Sequence, residues 1–182
     1  MNKKEFIIRE FLQFSIQAGF STRNEDYPIY DFNSSDFSLK AAKALKGDLR
    51  NFVSSSCKEI QGKRISEEGH IKRIEDLSAE VSQKYRSILF KKKFRVGVSQ
   101  KIINLFLKYL WSVNLVNEPH HCPFDNIIKL KIKKYTGNAD LVNWTEMKSI
   151  EEYKNYVSAA SKAAESEKST IARWEMKHWK RR

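Results

Sequence analysis

Turn-forming and cross-linking residues are scarce in this chain of 182 residues, which holds six glycines, three prolines and two cysteines. So few tight-turn residues exclude an all-β sandwich, whose hairpins need them at short intervals. Cys57 and Cys122 are too few for a disulfide scaffold or a cysteine-only zinc or iron–sulfur site, and they fit a reducing compartment. No apolar run approaches the ~20 residues of a membrane span. Glu5, Arg9 and Glu10 interrupt the stretch where a signal peptide needs an unbroken apolar segment. The expectation is a soluble, cytoplasmic protein without membrane contact.

Positive charge is abundant. Thirty-four lysines and arginines stand against 22 acidic residues, a net charge of +12. Such an excess favours a polyanionic partner, DNA or RNA, although many intracellular proteins are basic without one. Hydrophobic residues make up 41% and charged residues 31%, enough for a real core in a chain of this length.

Hydrophobic spacing predicts helices. Phe6, Ile7, Phe11, Phe14 and Ala18 mark an amphipathic helix over 3–18, closed by Gly19. After a loop over 20–35, Ser35 or Asp36 caps a helix reaching Ile60. The polar connection 61–64 and Ser66 then introduce a helix that keeps its spacing to Leu89. Residues 100–115 are apolar almost all round and read as a central buried helix capped by Ser99. Lys101, Asn104 and Lys108 share its one polar face.

Ile128 to Lys133 alternates strictly, the pattern of a strand in a short hairpin over 127–136, yet the same residues can start a helix at Asp125. A turn is expected at Thr136-Gly137-Asn138. Ser149 with Glu152 makes a capping box for a helix over 150–165, and a last helix over 169–180 turns Ile171, Trp174 and Met176 inward. The fold class is mainly α, with six or seven helices. It is a single helical domain over 1–182, or two lobes over 1–90 and 91–182.

Gly97-Val98-Ser99-Gln100-Lys101 and Pro123-Phe124-Asp125 resemble the helix-hairpin-helix DNA glycosylases, over residues 94–128 only. The resemblance implies a hairpin at Gly97, Val98 and Ser99 that packs its backbone N–H groups on a DNA phosphate, with Ser99 at the family's second glycine position. It implies Lys101 as a Schiff-base nucleophile, Asp125 as the assisting carboxylate, and no cofactor. An amine in that role must lose its proton, which burial and the nearby charge of Lys108 favour.

Lys91, Lys92, Lys93 and Arg95 form one basic cluster. Lys129 and Lys131, with Lys133 and Lys134, form another, and 180–182 a third. They are candidate phosphate contacts if they converge and solvated charge if they scatter. Trp111 and Trp174 read as core; Trp144 and Trp179 are candidates for stacking on bases. His120, His121 and Cys122, with His70 or Cys57, allow a metal or thiol site. Their adjacency fits better with a packed Cys122 and one histidine that satisfies a buried hydrogen bond or contacts a ligand, and no metal is expected. The competing function class is a non-catalytic accessory or defence protein that binds nucleic acid or a protein partner.

Overall fold

Most helices begin where a short polar side chain accepts a backbone N–H. In the computed structural model, which describes residues 1–22, 24–60, 65–137 and 140–180, seven α-helices follow one another: α1 (Lys3–Phe20), α2 (Leu39–Ile60), α3 (Glu67–Lys84), α4 (Val96–Ser112), α5 (Asn126–Thr136), α6 (Ile150–Glu165) and α7 (Ile171–His178). Asn2, Ser66, Asp125, Ser149 and Thr170 cap α1, α3, α5, α6 and α7. Ser38, rather than Ser35 or Asp36, caps α2 through the Ala41 N–H. The expected mainly helical fold is present. Among the described residues the only β pairing is an isolated antiparallel bridge between Tyr30 and Leu89.

The buried hydrophobes form one cluster drawing on all seven helices. α4 is its axis, with eleven buried residues, and it packs against α1, α3 and α6. Gly19 does not close α1. It lies inside the helix, where an added Cβ would sit 2.4 Å from Ile102 Cγ1, so its bareness lets α1 and α4 approach closely.

Several boundaries differ from those expected. α3 stops at Lys84, and residues 85–89 turn to reach the bridge with Tyr30. α4 starts at Val96 and ends at Ser112, with Arg95 rather than Ser99 at the N-cap position. Residues 126–136 form α5, not a hairpin. Ile128 and Ile132, four apart, are fully buried, while Leu130 between them is 55% exposed. A strand would have put all three on one face. Met176 faces solvent.

The connection at 61–64, Asn138 of the expected turn, the Cys57 side chain and the last two basic residues lie outside what is described. Among the described residues no helix is long and apolar enough to cross a membrane.

Candidate active site

Lys101 sits in the second turn of α4 and Asp125 at the N-cap of α5. Both line one open cleft of about 960 Å³, shared with Asn24, Lys129, Asn143 and Trp144. The Lys101 ammonium lies 3.9 Å from Asp125 Oδ2, and each side chain is only 15% exposed. On another side the ammonium lies over the Trp144 ring, 4.1 Å from its centroid, a contact of about 0.5–2 kcal/mol for the charged form. Burial pushes the Lys101 ammonium below the ordinary lysine value, and the Asp125 charge partly offsets that. The arrangement is a desolvated amine held between a carboxylate and an indole face.

Gly97 and Lys101 are four residues apart and share a face of α4, over which residues 143–147 pass. A Cβ on Gly97 would lie 1.7 Å from the Trp144 carbonyl oxygen, and the Gly97 N–H donates to Met147 O at 3.1 Å. The bare backbone there lets the Trp144 main chain rest on the helix while its ring reaches Lys101. Trp144 is 5% exposed, so it is a wall of the site rather than a free stacking platform.

The segment before Asp125 is held by two buried amides of α4. The Gln100 side chain accepts from the Phe124 N–H at 3.1 Å and donates to Phe124 O at 2.8 Å, pairing as a neighbouring strand would. Asn104 donates to Cys122 O at 2.8 Å and lies 3.1 Å from the Tyr153 hydroxyl. These bonds fix the backbone that carries Asp125 relative to the helix that carries Lys101. Motif spacing misses Gln100. The signal that marks it is two amides four residues apart on a helix that is apolar almost all round, which demand buried partners.

Other predicted contacts are dispersed. Gly97 and Ser99 form no hairpin. Both are buried in the first turn of α4, and the N–H groups of Gly97, Val98 and Ser99 go to Met147 O and Arg95 O, leaving none for a phosphate. Arg95 is buried and donates to the carbonyls of Tyr27 and Pro28, so its guanidinium serves the interior. Lys108 does not act on Lys101. It pairs with the buried Glu175 at 2.7 Å, which neutralises its charge. Lys91, in a turn where it and Lys92 both hold positive φ, lies over the rings of Tyr27 and Phe90. Lys92 and Lys93 line a separate hollow of about 420 Å³ with Lys148. Lys129 alone of these lysines joins Lys101 in the cleft, donating to Asn143 Oδ1 at 3.0 Å, whereas Lys131 is outside its lining.

The His120–Cys122 segment is structural in its contacts. His120 Nε2 bonds Ile65 O at 2.7 Å, and His121 lies between the Tyr153 hydroxyl and the Glu67 carboxylate. Cys122 is fully buried, and burial pushes its thiol well above its ordinary value, the reverse of what a nucleophile needs. Among the described residues no three His, Cys, Asp or Glu side chains group as a metal site would require. Comparison of the chain with protein-family models, with curated proteins and with solved structures finds no match, so the chemistry of the cleft rests on its own geometry.

Proposed function

We propose that the protein binds nucleic acid, DNA or RNA, in the cytoplasm, and that its sharpest activity is that of a small DNA glycosylase or abasic-site lyase. Lys101 is then the nucleophile and Asp125 the assisting carboxylate. One observation carries the reading: a desolvated amine and a carboxylate, 24 positions apart in sequence, meet in an open cleft of a strongly basic chain.

The ring-opened sugar of an abasic site presents an aldehyde at C1′. The neutral Lys101 amine adds to that carbon, and loss of water gives an imine. Asp125 accepts the proton that the ammonium must release, returns it to the hydroxyl that departs as water, and as the restored carboxylate stabilises the positive charge at C1′. With the imine as electron sink, loss of a C2′ proton expels the 3′ phosphate and cleaves the strand. On an intact nucleotide the same amine displaces the base, which must first leave the stack. The cleft has the size of a ligand pocket and Lys129 offers a cation to a flanking phosphate.

Borohydride trapping on a duplex containing one abasic site tests this. The wild type should form a covalent adduct, Lys101→Ala none, and Asp125→Asn one formed about a hundredfold more slowly. No adduct, or one that survives Lys101→Ala, removes the lyase reading. Salt-sensitive binding without an adduct then points to a non-catalytic nucleic-acid-binding protein.

A further inference from the structure

Asp125 is held by more than its cap. Oδ1 accepts the Ile128 N–H at 3.0 Å, the bond that starts α5. Oδ2, the oxygen nearest Lys101, accepts the indole N–H of Trp179 at 3.2 Å. Trp179 closes α7, at the far end of the chain. Its backbone N–H donates to Glu175 O at 2.7 Å, and its ring lies under the Lys108 ammonium at 5.1 Å. Lys108 is in turn paired with Glu175, and the neighbouring Trp174 is fully buried. The indole is therefore fixed by its own helix and by α4.

We propose that Trp179 is a positioning residue for Asp125, holding its carboxylate at a stand-off from Lys101 and making the end of the last helix part of the site. This rests on Lys101 being the nucleophile. With a donor on each oxygen, the carboxylate has little freedom to swing. The 3.9 Å gap exceeds the ~2.8 Å of a charge-assisted hydrogen bond by about 1 Å. A contact ion pair would hold the lysine in its charged, unreactive form. The stand-off keeps the carboxylate close enough to accept a proton and to stabilise a cation, without fixing the ammonium against it. Burial of Lys101 acts in the same direction, toward release of the proton.

The test reads the lysine without DNA. Pyridoxal 5′-phosphate condenses with a neutral amine to an imine and water, and borohydride reduces the imine to a stable secondary amine. Peptide mapping then gives the rate at each lysine at pH 7.5. Lys101 should label faster than the exposed Lys133. Trp179→Phe, which keeps a ring under Lys108 and deletes the N–H, should slow Lys101 labelling about fivefold, as the freed carboxylate closes on the ammonium. In an Asp125→Asn background the same change should do nothing. If Trp179→Phe lowers the melting temperature, the benzothiophene analogue of tryptophan at position 179 keeps the shape and removes only the N–H.

Wild-type labelling at Lys101 no faster than at Lys133, no effect of either N–H deletion, or an equal effect with Asn at 125 would each overturn the proposal. A missing abasic-DNA adduct alongside the expected labelling pattern would end the DNA reading and leave the orienting role of Trp179 standing.

Discussion

His70 and His121 meet edge to face with ring centroids 5.1 Å apart in the interior. Asn104 turns its amide nitrogen to Cys122 O, so its oxygen accepts from His70 Nε2 at 2.7 Å. Burial keeps the Tyr153 hydroxyl protonated, and it donates to His121 Nδ1, leaving His121 Nε2–H for Glu67. Both rings are thus neutral donors. Burial, helped by the neighbouring His121, pushes His70 down to about 3, and burial lowers His121 against the partial offset of Glu67. A folded value below the unfolded one gives stability that is complete above about 6.5 and is lost as pH falls toward 3. Each proton contributes up to about 1.4 kcal/mol per pH unit. Urea denaturation between pH 7 and pH 4 should show that slope, and His70→Gln should remove about one proton's share; an unchanged slope would mean His70 is not buried neutral. The sequence leaves a histidine of this segment either a buried hydrogen bond or a ligand contact; His121 is buried and hydrogen-bonded, and Cys122 is inside, as expected. Arg95 reads as part of a basic cluster but serves the interior, because its partners are main-chain carbonyls 67 and 68 residues away, which no local pattern reveals.

At the scale of elements, two short segments decide whether a site exists. The alternation of lysine with Ile or Leu over 128–133 satisfies periods of two and of four alike, and only the burial of Ile128 and Ile132 without Leu130 selects a helix. That choice places Asp125 at a helix start, with one oxygen committed to the cap. The other segment is 143–147 against the first turn of α4. Gly97-x-x-x-Lys101 reads in the sequence as part of a hairpin motif, but in the fold its spacing works as one helix face with a gap for the Trp144 backbone. Sequence alone carries the glycine and the lysine; it does not carry the loop that lies on them. Gly97→Ala drives a methyl into the Trp144 carbonyl, so the loop must lift or the helix shift. Chemical denaturation should show a loss of about 1–3 kcal/mol. Lys101 should also lose the wall that shields it from water, regain its proton more readily and label more like a surface lysine. A variant as stable as the wild type would mean that loop and helix are not in contact.

At the scale of the whole molecule, the net charge of +12 says little until each cation is placed. Arg95 and Lys108 are spent inside, on carbonyls and on Glu175. Lys91, Lys92 and Lys93 are exposed, but none lines the cleft. Lys129 is the lysine that lines the cleft beside Lys101. These placements separate two substitutions that remove the same charge. Each phosphate contact contributes about 0.9 to the slope of log K against log salt on duplex DNA. Fluorescence anisotropy on an abasic duplex, titrated from low to moderate salt, should show Lys129→Ala lowering the slope by about one. Arg95→Ala should leave the slope unchanged while lowering the melting temperature, because it strands two buried carbonyls. A Lys129→Ala slope equal to that of the wild type would put the nucleic acid elsewhere on the surface, and the amine and carboxylate of the cleft would need a different substrate.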